Sequence, residues 1–535
     1  MTTTSCTTPH PPAWDELVAA ALLGTERRTP PVQPRPGRDP AAALLDEAAL
    51  RTVQRRAALL PAAAGARPEA APDDPRPPLP AAAARRLALL LADRAGSGGG
   101  RQGSAPDLTE LLPQWLAAAN GHGHRAPAAL LPGLLDAARA RSDLRSEALA
   151  LAGPRGLWLA RLNPQWAYAL RGTAAGSAAL PVAAGEQVWH EGLFAERVAL
   201  LASLRRGDPA AARELLTTTW AEERAEDRLM FLDTLREGVS LADEPFLEQA
   251  LSDRSRNVRA LAAELLSALP GSALAARMAE RARACVALDV AGTREDRRIA
   301  VEAPPECDSA MQRDGVVAKP PSGRGERSWW LTQLVEAAPL ATWYERLGVT
   351  DAAGAVALPV ADGWQPDLHA AWCRAAVRQR DADWARALLG PATAPPAPEG
   401  AAWRDPAKLL SALPPAERAA WVADFISAHG LSDAFRLLGV CTVPWAEPLG
   451  RAVVDALDIA RDAGSYPWSF SGVMGMAERC LDPAEAGRLE VLTAAPDTES
   501  APPGAAGYWA EAFRRLVGTL RLRGVMHEEL AGPTA

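Results

Sequence analysis

Lysine is almost missing from this 535-residue sequence: Lys319 and Lys408 are the only two, so 55 of its 57 basic residues are arginines. Alanine, proline and glycine are abundant alongside, which is the mark of GC-rich bacterial codon usage and implies no guanidinium-specific role. Cysteine is sparse. Cys6, Cys285, Cys307, Cys373, Cys441 and Cys480 are scattered with no Cys-x-x-Cys pair, which argues against a disulfide framework and fits free thiols in a reducing compartment. No uncharged apolar run approaches the roughly 18 residues of a membrane span, and the Thr- and Pro-rich start lacks the basic region of a secretory signal. A cytoplasmic protein without membrane insertion is the expectation. Positive charge is not in excess either: 65 acidic residues leave a net charge of −8, the wrong sign for a whole-chain binder of nucleic acid or anionic membrane.

What is present points to helices. Hydrophobic residues make up 48% and charged residues 23%, the proportions of a folded chain. At about 150 residues per domain, the length implies three to four domains or one extended repeat array. Ala, Leu, Arg and Glu recur at helical spacing, whereas alternating β-branched runs hardly occur. Trp14, Leu17, Val18, Ala21 and Leu22 form one apolar stripe that ends at Gly24. Asx-Pro steps at Asp39, Asn163, Asp208, Asp405 and Asp482 predict helix starts, because the Asx side chain accepts from first-turn N–H groups and proline needs no donor there. Glu485, three residues after Asp482, adds a capping-box pattern.

Leu247–Pro270, LEQALSDRSRNVRALAAELLSALP, is the most informative segment. A short helix with Leu247, Ala250 and Leu251 meets a break at Ser252-Asp253. A second helix then carries Val258, Leu261, Ala262, Leu265, Leu266 and Leu269 on one stripe. This resembles the HEAT-repeat pattern, in which small residues admit close helix approach and leucines fill the layer between repeats. Arg205…Asp208…Arg213 recurs at the same spacing as Arg378…Asp381…Arg386, a candidate degenerate repeat. The expected fold is all-α: an irregular α-solenoid or HEAT-like helical-pair array with Pro/Gly/Ala-rich linkers. Its expected divisions are N-terminal helices over 1–60, a partly disordered linker over 61–107 holding an Ala/Leu-rich helix at 81–94, a helical block over 108–188 and the HEAT-like core over 189–290. A loop over 291–327, a second helical block over 328–492, a linker over 493–507 and a last helix with its tail over 508–535 complete the chain.

Motifs that carry chemistry are scarce. The glycine-rich run Gly96–Gly100 lacks the preceding strand and the Gly-Lys-Ser/Thr ending of a phosphate loop, so it reads as a linker. His122 and His124 have no third local ligand, and His190-Glu191 and His527-Glu528 lack the second histidine of a zinc motif. No Gly-x-Ser-x-Gly occurs. Asp243-Glu244 and Asp381-x-Asp383 sit at predicted helix starts, where the helix dipole suffices to explain acids. No catalytic residue, metal or cofactor is expected, and the chain does not read as an enzyme.

The candidates for interaction are Arg254, Arg256 and Arg259 on and after the HEAT-like turn, near Arg277, Arg281 and Arg283, with Asp253, Glu264 and Glu280 interleaved to blunt the field. Tryptophan, at 17 the dominant aromatic, suits core wedges and interface anchors. Trp329, Trp330 and Trp468 are the candidate anchors, although Trp468 with Phe470 in YPWSFSGVMG reads more simply as plugging a tight inter-helix turn.

Three stretches, Trp14–Arg28, Leu151–Trp166 and Asp243–Pro270, carry a resemblance to an uncharacterised bacterial domain-of-unknown-function family with HEAT-like helices, found in actinobacteria among others. The resemblance covers roughly 14–290 well and the C-terminal half more loosely. It implies a genomic neighbourhood of SWIM-type zinc-finger, MoxR-type AAA+ ATPase and von Willebrand factor A proteins, and hence an AAA+ ATPase or a von Willebrand factor A protein as partner. It brings no catalytic residues. The expected function is a cytoplasmic protein–protein scaffold or adaptor. Nucleic-acid binding through the Arg254, Arg256 and Arg259 patch is an alternative, unlike the net charge would favour, and a helical enzyme is a second.

Overall fold

Each of the Asx-Pro steps at Asp39, Asn163, Asp208, Asp405 and Asp482 opens a helical turn, as the capping argument requires; a further one, Asp74-Pro75, does not, its carboxylate being held by Arg76. Asn163 accepts from the Gln165 N–H at 3.1 Å, Asp208 from Ala210 and Ala211 at 3.1 and 3.0 Å, and Asp482 from Ala484 at 2.9 Å. Asp39 and Asp405 reach the N–H three residues on, at 3.3 and 3.4 Å. The capping box at Asp482 stays half made, because the Glu485 carboxylate pairs with Arg488 at 2.9 Å. Helices, however started, dominate the protein. The computed structural model describes residues 14–32, 37, 39–57, 68–96, 108–172, 182–289, 297–394, 405–494 and 505–532. Over these the fold is all-α, with 27 α-helices and one two-stranded hairpin. Of the expected linkers at 61–107 and 493–507, residues 61–67, 97–107 and 495–504 lie outside the described residues.

The hairpin pairs Val286–Asp289 with Arg298–Val301, antiparallel, and Ile299 bridges on to Val360. Its second strand and a short helix, Ser309–Arg313, occupy part of the 291–327 segment expected as a loop. Four-residue strands leave too short an alternation to read from sequence; burial of Val286 and Ile299 fixes them.

The chain divides into two compact units, Met1–Ala70 and Ala71–Ala535. In the first, the helices Trp14–Leu23 and Pro40–Ala57 enclose a small core of Leu17, Ala20 and Leu44, flanked by Trp14 and Val32. The stripe read from sequence is broader than the face that is buried, since Val18, Ala21 and Leu22 are exposed.

In the second unit, most helices pack on others close to them along the chain. Phe194–Gly207 contacts Pro209–Thr219 and Ala225–Thr234, Ala225–Thr234 contacts Arg256–Ser267, and Arg256–Ser267 contacts Ala273–Cys285. Ala273–Cys285 packs on Glu326–Ala337, which packs on Gln365–Gln379, which packs on Pro406–Ala412. The stripe Val258, Leu261, Ala262, Leu265, Leu266 and Leu269 is buried throughout. The last helix, Ala505–Ala531, contacts Glu447–Asp462 and Ser471–Cys480, and also Ala81–Gly96 and Leu108–Gly121 near the start of the unit. The succession of contacts therefore returns to where it began. One helix thereby serves two cores: Trp509, Phe513, Leu516 and Leu520 enter the main one, and Met526 and Leu530 the core of the 79–169 block.

Two buried aspartates tie helices together, each gripped by two arginines. Asp243 receives Arg205 at 2.9 and 2.6 Å and Arg213 at 2.9 Å, and accepts the Ser240 N–H at 3.0 Å. Asp314 is held by Arg277 at 2.9 Å and Arg281 at 2.7 Å. The helix-dipole reading of Asp243 falls short. With both Asp243 and Arg205 out of contact with solvent, the carboxylate is the counter-ion of a buried guanidinium. The candidate repeat has a common geometry. Arg205 and Arg378 each reach from the end of a helix to a carboxylate on another segment, Asp243 and Glu336, while Asp208 and Asp381 cap the helix that follows.

Candidate functional site

The helix Arg256–Ser267 divides the residues singled out by sequence. At its start, Arg256, Arg259 and Ala260 face Gln312, Gly315 and Val316–Lys319 across a pocket of about 240 Å³. Arg259 is oriented by its own turn, donating from Nη1 to the carbonyls of Asp253 and Arg254 at 2.7 and 3.1 Å. The opposite wall is fixed by the two candidate tryptophans: the Trp329 and Trp330 indoles donate to the carbonyls of Val317 and Ala318 at 2.8 and 2.7 Å. Gln333 completes the clamp by accepting the Val317 N–H at 2.8 Å. Four of the six candidates thus converge on one loop. Trp329 and Trp330 work there from inside, half-buried and buried, rather than as exposed anchors.

Arg254 is exposed on the same turn but does not line this pocket. The wider basic cluster disperses, because Arg277 and Arg281 are neutralised by Asp314, and Arg277 also by Glu248 at 3.1 Å. Arg254, Arg256 and Arg259 therefore lack the continuation that would track a phosphate backbone. Two of the interleaved acids do not blunt them either: Asp253 is taken by Arg228 at 2.8 Å and Glu264 by Arg236 at 2.8 Å.

Past the C-terminal half of the same helix lies a larger cleft of about 940 Å³. Its apolar surface comes from Val239, Leu265, Ala268, Ala370, Val377 and Leu409. Six cations line it, Arg236, Arg324, Arg374, Arg378, Arg380 and Lys408, against three carboxylates, Glu264, Asp367 and Asp405. Arg374 and Arg378 are both steadied by Glu336. Arg324 lies over the Trp329 ring, 5.9 Å from its centroid, where a cation–π contact takes the place of a carboxylate. Arg380 ends the helix Gln365–Gln379 in the left-handed backbone region, at φ 53° and ψ 40°. Glycine or asparagine usually fills that position, and a long side chain there carries strain of about 1–2 kcal/mol. Its exposed guanidinium has no ion-pair partner among the described residues.

Trp468 is not the plug its sequence context suggested. It is 57% exposed, stacked on Tyr466 at 4.3 Å between centroids and edge-on to Tyr508 at 5.4 Å, while Phe470 turns inward against Trp509. Of the tryptophans that recur near helix starts or on helical stripes, Trp166, Trp189, Trp220, Trp372 and Trp384 are buried, and Trp158 and Trp421 are half-buried.

No group of three or more His, Cys, Asp or Glu side chains with metal-binding geometry occurs among the described residues. His122 and His124 stack at 5.9 Å, and His124 Nε2 donates to the Leu530 carbonyl at 3.0 Å, so this loop serves to dock the last helix. Among the described cysteines none is bridged, and burial raises the Cys285 and Cys441 thiols, the latter to about 11. No described helix is long and apolar enough to cross a membrane.

The cleft residues Arg324, Arg374, Arg380 and Lys408 were not distinguished in the sequence. In an arginine-rich chain the only local signal was Arg380 at a helix end where glycine is usual, and that helix end is itself a tertiary fact. The model of one family, a family of unknown function (DUF5691), matches residues 16–530, and so extends through the C-terminal half. No curated protein and no solved structure matches the chain.

Proposed function

The chain belongs to the DUF5691 family, and we propose that it acts as a protein–protein interaction scaffold, an irregular HEAT-like helical-pair array whose 940 Å³ cleft receives an acidic segment of a partner protein. The observation that carries this reading is a cation excess around an apolar floor, on a chain whose net charge is −8. The floor supplies area for side chains of the partner, and the arginines supply steering and register. Local charge opposite to that of the whole molecule marks a surface that selects its ligand. The role is one of binding, without catalysis of its own, in the cytoplasm. A MoxR-type AAA+ ATPase or a von Willebrand factor A protein is the partner to try first.

Arg380→Gly tests this directly. Removing the side chain from a left-handed position relieves strain, so the variant gains about 0.5–1 kcal/mol of stability after glycine's own entropic cost. It should nonetheless bind the partner more weakly, by about tenfold, together with Lys408→Glu, and with a shallower dependence on salt. Titration of the purified full chain with each purified partner reads both effects. Unchanged affinity in the double variant would sink the cleft as the docking surface.

A further inference from the structure

We propose that the 240 Å³ pocket at the start of the helix Arg256–Ser267 is a binding site for a phosphoryl group. Three cations line it, Arg256, Arg259 and Lys319, and no carboxylate does. The nearest acids in sequence are committed elsewhere, Asp253 to Arg228 and Asp314 to Arg277 and Arg281. Arg259 Nη1 is spent on two backbone carbonyls, which aims the guanidinium and leaves Nε and Nη2 without an acceptor among the described residues.

The facing wall contributes donors through peptide geometry. A trans peptide sets each carbonyl opposite the N–H that follows it. Because the Val317 and Ala318 carbonyls point to the Trp329 and Trp330 indoles, the N–H groups of Ala318 and Lys319 point away from them. Neither N–H has an acceptor among the described residues. Gly315 brings this wall close: at φ +92° it lies where an added Cβ would come within 2.3 Å of the Ala263 Cβ. Two guanidinium groups on one side, and the Lys319 ammonium with free backbone donors on the other, make the complement of a compact, multiply charged oxyanion. A volume of 240 Å³ lies below the usual 300–1,000 Å³ of pockets for drug-sized ligands, so it suits a phosphoryl head rather than a whole nucleotide. The phosphoryl group belongs either to a phosphorylated side chain of a protein or to a small free phosphate ester. The pocket shares no lining residue with the cleft, so it stands or falls separately from the scaffold reading.

The test is calorimetric titration of the purified full chain with inorganic phosphate, a phosphoserine peptide and its unphosphorylated twin. Saturable binding of phosphate or phosphopeptide, with the unphosphorylated peptide silent, is the expected result. Arg256→Ala and Lys319→Ala should each weaken it about tenfold, while Arg254→Ala, on the same turn but outside the lining, leaves it unchanged. A phosphopeptide tighter than phosphate assigns the ligand to a phosphoprotein, and equal affinity assigns it to a free phosphate ester; both uphold the site. No binding of either at millimolar concentration overturns it. So does an equal loss on Arg254→Ala, or duplex DNA bound more tightly than the phosphopeptide and weakened alike by all three changes, which would return the arginines to a nucleic-acid surface. Both exposed side chains can be removed without touching the core, so a folding defect does not confuse the outcome.

Discussion

Replacing Asp243 with alanine is expected to lower the unfolding free energy by about 3–5 kcal/mol. The pair it forms with Arg205 has no solvent access on either side chain. Arg205 also donates to the carbonyls of Glu237 at 2.9 Å and Gly238 at 3.0 Å, so its head is enclosed by backbone. Without the carboxylate, a full positive charge would remain in the core with only dipoles to answer it. Asp243→Ala and Arg205→Met combined should recover much of the loss, because the cost lies in the uncompensated charge more than in the lost attraction. Denaturant unfolding at neutral pH measures both; a single-variant loss below about 1 kcal/mol would show that the pair is solvated. The same site sets an acid limit. Burial pulls the Asp243 carboxyl upward, but hydrogen bonds from Arg205, the Ser240 N–H and Arg213 outweigh it and hold its pKa below the ordinary 3.8. A depressed carboxylate contributes stability that is complete above the unfolded pKa and is lost as pH falls through the folded one. Asp314 has the same direction from Arg277 and Arg281. Stability should therefore fall steeply below about pH 4, and Asp243→Ala should flatten that part of the profile.

The second large effect is expected in the last helix. Trp509→Ala should cost about 3–5 kcal/mol, because the indole is fully buried and its N–H donates to the Ser465 carbonyl at 2.7 Å. Leu530→Ala, near the other end of the same helix, should cost about 2–5 kcal/mol in a different core. Since one helix holds both cores, the second unit should unfold in a single transition in either variant. Two separate transitions would show that the 79–169 block folds independently. Arg86 and Glu529 pair at 2.8 Å across this junction, and the Gln114 side chain donates to the Arg479 carbonyl at 2.7 Å. His527 adds a pH dependence of its own. Burial lowers its pKa below the ordinary 6.5, aided by Arg523 and His122 and opposed by Asp482. The neutral imidazole is the form the fold accepts, so its contribution is complete above pH 6.5 and is lost as pH falls through the lower folded value. His527→Gln should remove that dependence and leave the acid limit at Asp243 in place; thermal unfolding between pH 5 and pH 8 distinguishes the two.

Local chemistry was legible in the sequence. The five Asx-Pro steps read as helix starts are capped, and the stripe from Val258 to Leu269 is buried, because capping and amphipathic spacing act within a few residues. The arginines at 256 and 259 and the tryptophans at 329 and 330 were singled out for separate reasons. That they meet on Val316–Lys319 depends on packing between helices some 70 residues apart, and no local pattern encodes it. The misreadings have the same origin. Asp243 looked like a helix-start acid because Arg205 and Arg213 precede it by 38 and 30 residues. Trp468 and Phe470 both looked like plugs because sequence does not say which aromatics of a turn face inward, and only Phe470 does.

The all-α character of this protein, the helix starts at the five capped Asx-Pro steps and the apolar stripe from Val258 to Leu269 were determined by the sequence alone, because hydrogen bonding and hydrophobic periodicity within a helix are short-range. The return of the last helix to the first helices of its unit, the two aspartate hubs, and the separation of paired arginines from the unpaired ones at the cleft and the small pocket were decided by tertiary structure. In a chain with 55 arginines and 65 acids, composition offers every cation many possible partners. Only the fold brings a charge within the few ångströms at which an ion pair outweighs water.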